Sequence, residues 1–330
     1  MKDVASDASV SIATVSRVLH GQPVRADMRE RVLASVARLQ YKPNLAAQSM
    51  RTRSSRMVAC ALRGVMMPEM SLFVRSAESV FRKAGYNLLL TGLDESADYQ
   101  RDFVQLLASR GIDGILLTPA SVNAEALDEV IGALAAPVVV IDRDTRAGAG
   151  LVAVDHAGGI RQAVDHLVSL GHRKIGLLTI SGAIRPGRER IEAFHKTMQA
   201  HGLEVLPAQV SDRNLLSENC FYEASLMLTG RQAPTALIAG GMSLLPGVLR
   251  AADSAGLQIG RDLAVIAGSD SDLAALKSPG ITAIRWDLAQ WGSMAARMLL
   301  EMIEGPGGQE APSRVVLPTE LVVRASCQRL

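Results

Sequence analysis

The chain has 330 residues, 48% of them hydrophobic, 21% charged and only 3% aromatic, which excludes a disordered chain and suits two or three domains. A core drawn from Ala, Val, Ile, Leu and 13 Met favours α/β layering over an all-β sandwich. The net charge of +2 hides an asymmetry: residues 1–56 hold ten Lys/Arg against four acids, a balance of +6, and the remainder carries −4. A basic head on a mildly acidic body points to a polyanion partner for the head alone. Cys60, Cys220 and Cys327 are too scattered for a disulfide framework or a structural zinc site. Polar residues interrupt every stretch of signal-peptide or membrane-span length, so the sequence predicts a cytoplasmic protein.

In the head, residues 2–8 put Val4, Ala5 and Ala8 on one helical face, and residues 12–19 resume the period after a break at Ser9-Val10-Ser11. In this second helix Val15, Val18 and Leu19 share one side, and Ile12, Ala13, Ser16 and Arg17 the other. His20-Gly21 supplies a stop, with Pro23 just beyond. A third helix starts near Asp27, its expected cap, with Met28, Val32, Leu33, Val36 and Leu39 at helical spacing. Two short helices joined by a tight turn and braced by a third make a helix-turn-helix unit. Small side chains let the second helix lie deep in a major groove, where Arg17 can meet a guanine edge bidentately. Ser11, Thr14 and Ser16 suit phosphate hydrogen bonds, which set register rather than sequence. Beyond Tyr41, Asn44 can cap a helix of about two turns, too short to persist alone in water. It is expected to fold only against a twin or on DNA.

The runs Lys2-Asp3-Val4-Ala5, Val10-Ser11-Ile12-Ala13-Thr14-Val15-Ser16-Arg17-Val18-Leu19 and Tyr41-Lys42-Pro43-Asn44 resemble the lac/galactose repressor family. That resemblance implies base reading by Ile12, Ala13 and Arg17. It implies further DNA contacts from His20, where the family usually has Asn, and from Tyr41, Asn44, Ala47 and Gln48. Met50 stands where the family usually has a leucine that wedges into the central minor-groove step.

From Met57 onward, short apolar runs alternate with amphipathic segments. Strands are expected over 57–62, 86–91, 114–118 and 137–141, then 152–154, 174–180, 236–239 and 263–267. Helices are expected over 73–84, 99–110, 159–170, 188–201, 222–229 and 244–255. Such alternation implies two doubly wound parallel sheets, with ligand bound beyond the carboxyl ends of the strands. The fold expected is thus an all-α helix-turn-helix head on a two-lobed α/β core, which the resemblance identifies as periplasmic-binding-protein-like. It implies chain crossings between lobes near Val154, Arg285 and Val316. The expected domains are residues 1–43 (head), 44–56 (hinge and linker), 57–153 with 287–316 (first lobe) and 154–286 with 317–330 (second lobe).

Polar residues just after strands mark the cleft. Thr118, Asp142, Arg190 and Asp270 are the candidates, with Pro68 framing the first loop, and Arg190 lies where the family has its ligand-clamping arginine. Charged groups there can hold hydroxyls or a carboxylate. The chain departs from the family pattern at Met67-Pro68-Glu69-Met70, Gly241-Met242 and Gly268-Ser269-Asp270. Trp286 and Trp291 stand at positions facing the cleft in relatives, where each either lines it or packs in the lobe interface. These changes suggest a ligand with a flat or apolar face, or an acidic one paired by Arg190. The sequence carries no cofactor, nucleophile or metal-ligand motif. The function expected is that of a ligand-responsive, sequence-specific transcriptional regulator rather than an enzyme or a solute-binding protein. It would be a repressor of a sugar or sugar-acid operon, acting as a nucleoid-associated homodimer on pseudo-palindromic operator DNA. Its ligand is expected to be a small-molecule effector.

Overall fold

The computed structural model describes residues 1–19, 21–41, 54–63, 67–93, 102–103, 105–107, 109–119, 128–129, 131–132, 134, 136–145, 148–213, 217–305 and 313–330. It divides into two compact units, Met1–Ser55 and Arg56–Leu330.

The first unit is three helices: α1 (Lys2–Asp7), α2 (Ile12–Leu19) and α3 (Ala26–Arg38). Val4, Ala5 and Ala8 meet Val15, Val18 and Val32 in a core that is small because its side chains are small. The turn between α1 and α2 is tight enough to hold Ser9 at φ +49, a left-handed conformation uncommon outside glycine. An Arg38–Asp7 ion pair ties the end of α3 to α1. Two expectations for α3 need correction. Leu33 and Leu39 are 49% and 43% exposed, because the inward line is Val32, Ser35 and Val36 and Leu33 falls one position off it. Asp27 does not cap the helix: the cap position is Arg25, without a side-chain bond. Asp27 instead sits in the first turn, ion-paired to Arg25 at 3.2 Å, where its charge favours the helix dipole.

The second unit contains two six-stranded sheets. The first has the order β11-β5-β4-β3-β1-β2, all parallel, from β1 (Met57–Leu62), β2 (Asn87–Gly92), β3 (Gly114–Leu117), β4 (Val138–Ile141), β5 (Gly150–Val154) and β11 (Arg314–Leu317). The second runs β12-β10-β9-β8-β6-β7, from β6 (Ile175–Thr179), β7 (Val210–Ser211), β8 (Ala236–Gly240), β9 (Ala264–Ala267), β10 (Thr282–Arg285) and β12 (Glu320–Val322). Continuous apolar runs such as Val138–Ile141 are buried throughout, as a parallel sheet covered on both faces requires. The helices are α4 (Pro68–Lys83), α5 (His156–Ser169), α6 (Arg185–Ala200), α7 (Ser217–Thr229), α8 (Leu245–Ser254), α9 (Asp272–Leu276) and α10 (Leu288–Glu304).

The periodicity reading omitted β7, β10, β11 and β12, which are short or follow no helix-length segment. One pairing also breaks the all-parallel rule. The chain leaves β11 at Leu317 and enters β12 at Glu320, which pairs with Arg285, the last residue of β10, so β12 runs antiparallel. In the first lobe, α10 covers the sheet and lies against α4. At Gly292 a β-carbon would stand 2.1 Å from the Phe73 carbonyl oxygen, so only glycine permits that helix contact.

Candidate DNA-reading face and effector cleft

In the head, the burial of Val15 and Val18 fixes the rotation of α2 and turns Ile12 (47% exposed), Ala13 and Arg17 to solvent. Thr14 and Ser16 are half-buried at the edges of that face. Ser11 accepts a hydrogen bond from the Thr14 backbone N–H at 3.1 Å, and the two hydroxyls lie 2.9 Å apart. Ser11 therefore caps α2 besides standing at its exposed end. Ser11→Ala is expected to cost about 1 kcal/mol of head stability, read as a lower head transition in a calorimetric scan of the full chain. The Tyr41 ring packs against the head core and is half-buried. His20, Asn44, Ala47, Gln48 and Met50 lie outside the described residues.

In the second unit the polar centre is built at the carboxyl ends of β4 and β5 and the starts of α5 and α6. Asp142 follows β4 with φ +55 and is 7% exposed. Its Oδ2 lies 2.7 Å from His156 Nε2, and its Oδ1 accepts from Arg185 Nη1 at 3.1 Å and from the Val154 N–H at 3.3 Å. His156 opens α5, whose cap is the Asp155 side chain accepting from the Gly158 N–H. The other ring nitrogen, Nδ1, lies 3.0 Å from Arg190 Nη2. A guanidinium can only donate, so Nδ1 is the acceptor and the proton sits on Nε2, facing Asp142. His156 is therefore neutral. Burial, and then the charge of Arg190, pushes its pKa below the ordinary 6.5. Burial alone would raise the Asp142 carboxyl, but His156, Arg143 and Arg185 together hold it well below the usual carboxylate range.

Three more arginines complete the cluster. Arg143, 8% exposed, donates to the carbonyl oxygens of Pro119 at 3.1 Å and Asp142 at 2.8 Å. Arg185 also pairs with Glu189 at 2.6 Å, one turn along α6. Arg188 reaches Asp144 at 2.6 Å nearer the surface. Burial lowers the pKa of Arg143 and of Arg190 to about 10, so both remain cations at neutral pH. The ion pairs Asp142–Arg185 and Asp144–Arg188 join the segment after β4, in the first lobe, to α6 in the second.

Beside this cluster lies a cleft of about 1370 Å³. Met67 and Leu72 line it from the first lobe, Met242 and Leu245 from the second, with Asp270 and Trp286. Trp286 lines the cleft and its ring is edge-on to His156 of the cluster at 6.0 Å between centroids. Asp270 is engaged by Arg324 at 2.8 and 3.0 Å. Thr118 is 9% exposed at the end of β3. Pro68 begins α4, but its side chain is outside the described residues. Trp291 requires a correction: it is 4% exposed in the first-lobe core, edge-on to Phe73 at 5.0 Å, with its N–H 3.4 Å from the Val152 carbonyl oxygen. It lies on the face of α10 turned toward the sheet, where a large apolar side chain is worth most. Sequence reasoning missed His156 and Arg185. The rule that selected Asp142, a polar residue just past a strand, also selects His156 after β5.

Two family models match the chain: bacterial regulatory proteins of the lacI family over residues 1–44 and a periplasmic binding protein-like domain over residues 164–327. The transcriptional regulator MalR of Streptomyces coelicolor is 32% identical over 342 residues, 99% of this chain and 96% of the relative. The chain belongs to the lacI family of bacterial regulatory proteins. This LacI-family protein is also 26% identical to the repressor PurR of Haemophilus influenzae over 332 residues, 100% of this chain and 99% of that one. A lac repressor dimer bound to operator and the anti-inducer ONPF aligns with a TM-score of 0.87 at 26% identity, covering 99% of this chain and 98% of that one. A complex of the regulator CelR with cellobiose gives 0.75 at 26% identity over 98% of each chain. Among the described residues no helix is long and apolar enough to cross a membrane.

Proposed function

We propose that this LacI-family protein is an effector-responsive repressor that binds a pseudo-palindromic operator as a nucleoid-associated homodimer and controls genes for the use of a sugar or sugar acid. The observation that carries the reading is the solvent-facing side of α2, where Ile12, Ala13 and Arg17 stand opposite buried Val15 and Val18. An exposed helix face of small side chains and one arginine suits the major groove. Ser11, Thr14, Ser16, His20 and Tyr41 are assigned to the DNA backbone in this reading. Asn44, Ala47, Gln48 and Met50 are assigned to a hinge helix that opens the central step. The lobes are taken as residues 57–153 with 287–316 and 154–286 with 317–330, following a head of residues 1–43 and a linker of 44–56. Pro68, Thr118, Asp142, Arg190, Asp270 and Trp286 are assigned to effector recognition. The effector acts through its different affinity for two arrangements of the lobes, which the hinge transmits to the heads. In the lac repressor and CelR structures the bound partners are operator, ONPF and cellobiose.

Selection of duplexes from a random pool, followed by binding titrations at several salt concentrations, tests the reading. A selected half-site repeated about a two-fold axis, with affinity falling steeply with salt, is the expected result. No preference for any duplex over random competitor sinks it. Arg190→Ala is expected to abolish the effector response while leaving operator affinity intact; collapse of both marks Arg190 as structural.

Exposed apolar side chains support the dimer. Tyr222 and Leu226 on α7 are 66% and 68% exposed, and Leu89 and Leu90 on edge strand β2 are 39% and 44% exposed. Such surface on a soluble unit marks an interaction face. Leu226→Asp is expected to raise the dimer dissociation constant about tenfold, measured by sedimentation equilibrium.

A further inference from the structure

We propose that Arg56 is a positioning residue for operator recognition: it fixes the direction in which the linker leaves the first lobe, and so decides which half-site spacing the dimer accepts. The proposal rests on the reading of the protein as an operator-binding dimer and names a residue that sets its specificity. Its basis is a side chain held in an unfavourable backbone conformation by contacts on several sides. Arg56 is the first residue of the second unit and immediately precedes β1. Its φ is +53, a left-handed conformation that a residue with a β-carbon seldom adopts and keeps only where its surroundings impose it.

The surroundings do impose it. β1 lies between β2 and β3 in the first sheet, and the Arg56 backbone is laced to both sides. Its carbonyl oxygen accepts from the Asn87 N–H, at the start of β2, at 2.8 Å. Its N–H donates to Asp113 Oδ2, just before β3, at 3.0 Å. Asp113 is itself held, its N–H donating to the Met57 carbonyl oxygen at 2.8 Å. The guanidinium lies over the Tyr86 ring, with Cζ 4.8 Å from the centroid, and 3.9 Å from Glu304, the last residue of α10. The exposed pair with Glu304 is weak by itself, so the two backbone bonds and the cation–π contact carry the anchor. Tyr86 is 5% exposed and belongs to the first-lobe core, which makes it a rigid platform.

Glycine would meet that φ at no steric cost. This chain keeps a long side chain there instead, and the side chain is spent on the lobe, over Tyr86 and toward Glu304. A residue in ordinary extended geometry would carry the line of β1 straight back into the linker. At φ +53 the chain turns off that line, and the anchoring contacts hold the turn to one direction. Two heads on tethers of fixed direction reach half-sites at one separation. On free tethers they sample many separations, each at a lower effective concentration. Half-site spacing in a two-fold dimer is a geometric quantity, and Arg56 helps to set it through the tether rather than through a base.

The test uses the full-length dimer and duplexes that carry the selected half-sites at their selected separation, or closer or farther by one or two base pairs. A duplex with a single half-site is the control. The natural protein is expected to bind the selected spacing about tenfold or more tightly than the altered ones. Arg56→Gly accepts the same φ but frees the tether. It is expected to bind all spacings within about threefold of one another, with its affinity for the single half-site unchanged. Arg56→Lys keeps a cation over Tyr86 and is expected to retain the preference, a rescue that a role confined to lobe stability would not produce. Asp113→Ala, which releases the Arg56 N–H and leaves its side chain, is the second variant; it is expected to flatten the preference likewise and decides if the glycine variant does not fold. Retention of the preference by the folded variants overturns the proposal, as does an equal loss on every duplex with the single half-site included. A natural protein that binds its operator at all spacings alike also overturns it, while the operator reading stands. If no duplex is preferred over random competitor, the operator reading falls and the proposal with it.

Discussion

Asp142→Asn is expected to lower the stability of the two-lobed core by about 3–5 kcal/mol, the cost of removing one member of a buried charge cluster. Asparagine is the informative replacement. It tolerates the left-handed φ of +55 at this position as well as aspartate does, so backbone strain stays out of the comparison. What changes is charge: Arg143 and Arg190 remain buried, with no other buried carboxylate among the described residues. Urea melts of both proteins supply the number. The loss also loosens the lobes, because Asp142 lies after β4 of the first lobe and bonds to His156 and Arg185 at the starts of α5 and α6 in the second.

The pH dependence of stability separates the charge effect from simple misfolding. The His156 pKa is depressed in the folded chain, so the unfolded chain binds more protons just below 6.5, and stability falls as pH drops through that window. Asp142 is depressed too. Its contribution is complete above the ordinary aspartate value of 3.8 and is lost as pH falls below it. The natural protein should therefore weaken in two acid steps. Asp142→Asn should keep the first, whose causes are burial and Arg190, and shrink the second, to which Asp262, held low by Arg261, also contributes. A variant whose second step is undiminished contradicts the assignment of Asp142 as the buried counter-charge.

The sequence was most legible where one periodicity decided the structure. Val15 and Val18 orient α2 whatever else the head does, so the exposed set of Ile12, Ala13 and Arg17 follows from spacing alone. The buried strands follow likewise from apolar runs such as Val138–Ile141. Legibility failed where the deciding contact is distant in sequence. Trp291 and Trp286 are five residues apart and share the first-lobe core, their rings edge-on at 6.4 Å, yet Trp291 packs on Phe73 while Trp286 also lines the cleft. No local pattern distinguishes them, because the choice depends on which side of the α10 N-terminus faces the sheet. The tie between Asp142 and His156, and between His156 and Arg190, spans 14 and then 34 residues. Each residue is an unremarkable polar side chain after a strand or in a helix, and only the crossing of the chain between lobes brings them together. Leu33 failed for a smaller reason: one position along α3 is a turn of about 100°, enough to move a leucine from core to solvent.

Arg17→Ala should reduce discrimination at one base pair of each half-site by about 1–3 kcal/mol, a loss of roughly 5- to 150-fold in specificity there. The fold of the head should be unaffected, since Arg17 is exposed and the buried face of α2 is Val15 and Val18. The affinity for random duplex should change little and the salt slope should stay near that of the natural protein, since a slope lower by about one marks a lost phosphate contact. Titrations against the selected operator and its single-base variants distinguish base reading from phosphate contact. An equal loss on every sequence places Arg17 on the backbone. Arg17→Lys sharpens the test, because lysine keeps the charge but lacks the planar fork that meets both acceptors of a guanine edge. Base reading therefore requires the lysine variant to retain affinity for random duplex while it loses most of the discrimination. Its neighbours Ile12 and Ala13 can touch only a thymine methyl or leave room for a base edge. Among the described residues of that face, Arg17 is thus the side chain whose planar fork matches both acceptors of a guanine edge.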